Sequence, residues 1–111
     1  MEHAPESRPI RSRWADEPTL RERIERFVLG LGERVDTLQD LELSGELKEL
    51  GALAAECAHE AEALGFEPLR EGALALERVC HAGERAAVRA ELEALTDVAR
   101  RVRLGHAGTA Y

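Results

Sequence analysis

Aromatic residues and long apolar runs are both scarce in this chain of 111 residues. Trp14, Phe27, Phe66 and Tyr111 make up the whole set of Trp, Phe and Tyr side chains. The core must therefore consist of Leu, Val, Ile and Ala, which suits closely packed helices. No apolar run is long enough to cross a bilayer, and no segment has the order of a signal peptide. We therefore expect a soluble protein of the cytoplasm.

Cysteine is almost absent, and its two positions exclude the usual cysteine chemistries. Cys57 and Cys80 are too few for a disulfide framework, and both fall inside helical patterns, so we expect reduced core thiols. Neither forms a common zinc spacing with His59 or His81. The sequence thus predicts no metal site and no cofactor.

Positive charge is also in short supply, because the formal net charge is −7. A negative surface repels nucleic acid and anionic membranes, so neither is the expected main partner. The arginines in "SRPIRSR" are too few to change this expectation. A basic surface on a partner protein is the natural complement, while the oligomeric state stays open.

Four apolar stripes at alternating spacings of three and four residues predict four amphipathic helices. The first stripe comprises Ile24, Val28, Leu31, Val35 and Leu38. The second comprises Leu47, Leu50, Ala54, Cys57, Ala61 and Leu64. The third comprises Leu69, Ala73, Leu76 and Cys80, and the fourth Val88, Leu92, Leu95, Ala99 and Val102.

Local signals mark where these helices begin and end. Asp16 or Thr19 is a predicted N-cap, and Glu22 would complete a capping box with Thr19. Gly30 and Gly32 predict a kink or a short break. Ser44 is placed to cap the second stripe, and Gly65 to stop it.

The short connections between the stripes predict an all-α, antiparallel up-down four-helix bundle with a short or kinked N-terminal helix extension. Its length suits one domain. We assign residues 1–13 to a flexible arm, with Trp14 pinning its end. Residues 14–104 form the bundle and residues 105–111 a C-terminal tail.

The segment "LAAECAHEAEALGFEPL" places a lone histidine among four glutamates on the second stripe's helix. With Leu47 set at zero and about 100° per residue, the apolar residues centre near 300°, Ala55 falls near 80° and His59 near 120°. Both therefore face away from the predicted core. Lys48, Ala52, Glu56 and Glu62 share this outer face.

From Pro9 to Arg103 the chain resembles the histidine-containing phosphotransfer (HPt) family. The segment "PIRSRWADEPTLRERIERFVLGLGERVDTL" is similar to the family's first two helices, with Gly32 where many members have proline. The segment "SGELKELGALAAECAHEAEALGFEPL" matches the central helix without a gap. The residues that anchor this match are Leu47, Leu50, Leu53, Ala54, Gly65, Phe66 and Leu69.

In this register the residues that carry the family's chemistry are replaced. Ala55 stands at the phosphoacceptor position, Ala58 at that of a lysine and His59 at that of a glycine. Ala55 has no nucleophile and Ala58 no cation, and Glu56, Glu60 and Glu62 surround the site with negative charge. The resemblance therefore implies a degenerate member that binds a receiver domain or a histidine kinase in two-component signalling without carrying phosphate.

Two other functions remain open at this point. His59 is a fallback acceptor, although it lies one helical turn, about 5 to 6 Å, from the family's acceptor position. A structural or oligomerising bundle would bind no receiver. Glu56 and His59 have the Glu-x-x-His step of di-iron bundles, but they face outward and lack a second such step.

The predicted partner-binding surface follows from the register and from a small-residue patch of Gly51, Ala52 and Ala55. No catalytic residue is expected on it. Its members are Lys48, Gly51, Ala52, Ala55, Glu56, Ala58, His59 and Glu62.

Overall fold

A computed structural model describes residues 8–109, and these fold into helices without a strand among them. A single 3-10 turn, Pro18–Leu20, precedes five α-helices. The α-helices are α1 (Arg21–Leu29), α2 (Leu31–Leu43), α3 (Leu47–Ala63), α4 (Glu67–Ala82) and α5 (Arg85–Thr109). Within the described range, no helix is both long and apolar enough to traverse a bilayer.

The helical break predicted at Gly30 is confirmed. Helix α1 ends at Leu29 and α2 begins at Leu31, so that the first stripe is divided between two helices. The predicted capping box is wrong. The Thr19 hydroxyl donates to the Glu17 carboxylate at 3.1 Å, and no side chain caps the start of the 3-10 turn or of α1.

Helices α2 to α5 pack in a ring around one core. Helix α3 contacts α2 and α4, while α5 contacts α4 and α2. The predicted stripes supply this core, and Ile24 and Leu47 pack at its edge. Its largest fully buried residues are Leu31, Leu38, Leu50, Leu69, Leu76, Leu95, Val88, Val102 and Cys57. The connections are short, spanning residues 44–46, 64–66 and 83–84.

Residues 8–14, here called the strap, lie across the bundle, although the sequence analysis assigned most of them to a flexible arm. Ile10 is 8% exposed, and its N–H donates to the Arg101 carbonyl of α5 at 2.9 Å. The Arg13 N–H donates to the Gly65 carbonyl at 2.9 Å. The bundle therefore begins before Trp14, because one buried isoleucine and two backbone hydrogen bonds fix the strap. Residues 1–7 of the assigned arm lie outside the described residues.

The C-terminal helix also extends beyond its predicted end. The sequence analysis placed a tail at residues 105–111, whereas α5 continues to Thr109. Gly105 is buried and lies against the Ile10 carbonyl of the strap. Residues 110 and 111 lie outside the described residues. Helix and strap thus support each other at this end of the bundle.

Candidate functional site

The outward face of α3 carries five of the eight residues predicted to bind a partner. Lys48, Ala52, Glu56, His59 and Glu62 are all exposed. Their angular positions, about 60° to 180° in the frame used above, lie opposite the apolar centre of the helix. The predicted exposure of His59 is therefore confirmed.

Three small residues of α3 lie deeper than the predicted surface requires. Gly51 is buried against α4, where an added Cβ would lie 3.2 Å from the Cys80 Cβ. Ala58 is only 4% exposed, and Ala55 is half-buried. Because α3 contacts both α2 and α4, its covered arc is wider than the apolar stripe alone indicates. Gly51 and Ala58 therefore belong to the helix interface and not to an exposed patch.

A groove of about 480 Å³ opens beside His59 on the side of α3 that faces α1 and the start of α2. Three arginines, Arg23, Arg26 and Arg34, line it together with His59 and one carboxylate, Glu60. The rest of its lining is apolar or glycine: Phe27, Gly30, Ala63 and Leu64. We call this cavity the arginine groove.

Arg34 fixes the geometry of the groove from α2. Its Nη1 lies 2.8 Å from the Glu60 Oε1 on α3, and its guanidinium carbon lies 5.6 Å from the centroid of the Phe27 ring. The Phe27 ring in turn stacks on Phe66, with centroids 5.8 Å apart. About a quarter of the Arg34 side chain is exposed, so its charge is held in place and partly sheltered from water. Arg34 thus links α1, α2 and α3.

The two arginines of α1 are more accessible. Arg23 is exposed and forms no ion pair or hydrogen bond within residues 8–109. The Arg26 side chain is 71% exposed and approaches Glu22 at 3.6 Å, one turn earlier. Such an exposed pair is weak and easily exchanged for another partner. Arg23 and Arg26 are therefore the cations of the groove that remain available to a ligand.

These arginines change the electrostatics expected around His59. The sequence analysis expected Glu56, Glu60 and Glu62 to surround this site with negative charge, but Glu60 is paired with Arg34. On the α1 side His59 therefore faces positive charge, while Glu56 and Glu62 remain exposed on α3. The arginines were missed because they lie on other helices. The only sequence signal was the spacing of three between Arg23 and Arg26, which puts both on one side of α1.

Both cysteines are buried, as predicted, and both are free. Burial raises the pKa of the Cys57 thiol above 9.0, although the charge of Arg34 and its hydrogen bond act in the opposite direction. Burial also raises the pKa of Cys80, with a further contribution from Glu77. Since the thiolate is the reactive form, neither thiol is poised as a nucleophile.

Metal ligands do not gather in the described part of the chain. No group of three or more His, Cys, Asp and Glu side chains is placed to hold an ion within it. Glu56 and His59 stay on the solvent-facing side of α3. The chemical capacity of the site is therefore that of a charged surface with one accessible imidazole.

Comparisons with protein-family models, with curated proteins and with solved structures find no match to this chain.

Proposed function

We propose that this chain is an HPt-like module of two-component or phosphorelay signalling that binds a receiver domain or a histidine kinase without carrying phosphate. The observation that carries the proposal is the residue at the family's acceptor position. Ala55 presents a half-buried methyl group there, while Ala52, Glu56 and His59 around it remain exposed. A surface without a nucleophile can bind a partner but cannot accept its phosphoryl group.

The proposal includes the antiparallel up-down order of helices α2 to α5. Two observations support it: sequence neighbours pack against each other, and their connections are only two or three residues long. Such connections reverse the chain direction between adjacent helices. In this arrangement the outward face of α3 and the arginine groove form one continuous docking surface.

The direct test combines binding with phosphate transfer. The protein is mixed with receiver domains and histidine kinases from the same organism, and complexes are detected by pull-down. Each phosphorylated receiver is then incubated with wild type and with His59→Ala, and an acid-labile label is sought on this chain. We expect a complex with at least one partner and no label on either protein.

Active transfer through His59 is the second candidate, because three arginines line the same groove as its imidazole. Cations beside a nucleophile stabilise a transferring phosphoryl group. Label on wild type that disappears in His59→Ala would contradict the preferred proposal and support this one.

A purely structural bundle is the third candidate. It is favoured by the exposed large hydrophobic side chains of the described residues, of which Leu29 and Leu43 are the most exposed, at 71% and 75%. Self-association in light scattering, with no complex in the pull-down, would support it and overturn both phosphorelay proposals.

A further inference from the structure

The arginine groove carries positive charge although the molecule as a whole is acidic. The chain as a whole carries a formal net charge of −7. Three arginines and a single glutamate line the groove, and that glutamate is paired with Arg34. Local charge of sign opposite to the net charge orients an approaching charged partner and selects its complementary face.

The three arginines differ in what they can offer to a ligand. Arg34 is committed to Glu60 and to the Phe27 ring, so it builds the wall of the groove. Arg23 has no partner among the described residues, and Arg26 has only an exposed glutamate at 3.6 Å. A guanidinium presents a planar fork of donors that matches a carboxylate. Arg23 and Arg26, both on α1, are therefore the side chains of the groove that remain available to bind a carboxylate.

We propose that the arginine groove docks an acidic segment of the partner protein, whose aspartate or glutamate side chains pair with Arg23 and Arg26 beside His59. The inference takes the partner class from the proposed function; the acidic character of the docked surface and the use of α1 are new. According to this inference, the partner is recognised mainly in the cleft between α1 and α3 and not at the small residues of α3.

The first experiment does not require the natural partner. A peptide of alternating aspartate and alanine is titrated into the isotopically labelled protein, and the arginine Nε–H signals are followed by NMR. We expect saturable shifts for Arg23 and Arg26 that vanish when salt is raised from about 20 mM to about 500 mM. Arg78, which is exposed on α4 and has no partner within residues 8–109, should not shift. Equal shifts at Arg78, or no shift at Arg23 and Arg26, would overturn the inference.

A matched pair of charge reversals gives the second readout. Arg23→Glu and Arg78→Glu change the net charge equally, and both sites are exposed, so both variants should keep the helical circular dichroism of wild type. We expect Arg23→Glu to weaken peptide binding at low salt about tenfold and Arg78→Glu to change it less than about twofold. Equal weakening by both variants would show that the peptide is attracted by overall charge, and it would contradict binding in the arginine groove.

Two further arms separate this inference from the proposed function. Inorganic phosphate that shifts Arg23 and Arg26 when the acidic peptide does not would replace the proposed occupant with a phosphate group, and the inference would be wrong. The receiver and kinase pull-down is then repeated with both charge-reversal variants. Peptide binding that depends on Arg23, without any receiver or kinase complex, would defeat the proposed function alone. A receiver complex unaffected by Arg23→Glu would defeat the inference alone.

Discussion

Helix α3 is held by hydrogen bonds from the strap at its C-terminal end, whereas its N-terminal end has no side-chain cap. At the C-terminal end the buried Ser12 hydroxyl donates to the Leu64 carbonyl, and Trp14 packs over Gly65. At the N-terminal end Ser44 and Glu46 are exposed, and no side chain caps the helix. His59 and the arginine groove lie near the supported end.

This difference indicates where a rigid surface is available for recognition. A docking surface loses less conformational entropy on binding when its side chains are already held in place. Arg34, Phe27 and Phe66 hold the wall of the groove, and the strap holds the loop below it. Substitutions at comparable positions of the two ends should therefore change the free energy of unfolding by different amounts.

The largest effect is expected from alanine substitutions at the two glycines that border α3. Gly45 and Gly65 both have positive φ, at 76° and 83°, so alanine strains both. An added Cβ on Gly65 would lie 2.5 Å from the Trp14 Cδ1 and 2.8 Å from the Ser12 Oγ. On Gly45 the three nearest atoms would all belong to the Arg85 guanidinium, at 3.2 Å or more.

We therefore expect Gly65→Ala to lower the free energy of unfolding by about 3 kcal/mol and Gly45→Ala by about 1 kcal/mol. Arg85 is exposed and moves aside easily, whereas the strap must be displaced as a unit. Urea titration followed by circular dichroism measures both values. Equal losses of unfolding free energy in the two variants would mean that the strap does not stabilise the C-terminal end of α3.

The second prediction concerns two alanines of α3 that differ in burial. Ala58, which the proposed resemblance aligns with a lysine, is only 4% exposed, whereas Ala52 is exposed. Ala58→Lys should cost about 2 kcal/mol, because the side chain must push helices apart before its ammonium group reaches water. Ala52→Lys should change stability by less than about 0.5 kcal/mol. Thermal unfolding of the two variants tests this. If Ala58→Lys left the stability unchanged, Ala58 would belong to the accessible surface after all.

The same positions show what the sequence could and could not predict. The buried stripes, the break at Gly30 and the stop at Gly65 follow from local spacing, and they are confirmed because periodicity and glycine act within one helix. The burial of Gly51 and Ala58 depends on how much of α3 its neighbours cover. No pattern within α3 contains that information.

The strap and the groove were missed for related reasons. One isoleucine and one serine fix the strap, and neither forms a periodic pattern. The groove requires side chains from α1, α2 and α3 to meet, which only the packing decides. The outward direction of His59 was predicted, but the charges that surround it were not.

The third prediction compares serines at the two ends of α3. The Ser12 hydroxyl is buried, accepts from the Trp14 N–H at 2.8 Å and donates to the Leu64 carbonyl. Ser12→Ala leaves both backbone groups without that partner and should cost about 1.5 kcal/mol. Ser44 is exposed and forms no side-chain cap, so Ser44→Ala should cost less than about 0.5 kcal/mol. Chemical denaturation measures both, and a larger loss for Ser44→Ala would reverse the proposed order of the two ends.

The smallest effect is expected in alkaline solution, from the thiol beneath the groove. Burial raises the folded-state pKa of Cys57 above its unfolded value near 9.0, so folding favours the neutral thiol. The resulting stability is fully present below pH 9 and is lost as pH rises through the folded-state pKa, because the unfolded chain releases the proton first. Cys57→Ala removes this contribution, so its unfolding free energy should fall less steeply above pH 9 than that of wild type. Cys80→Ala is the matched comparison, because Cys80 lies on α4 against Gly51 in the N-terminal half of α3, and burial also raises its pKa. Parallel pH profiles for wild type and Cys57→Ala would show that the supported end of α3 leaves this thiol hydrated.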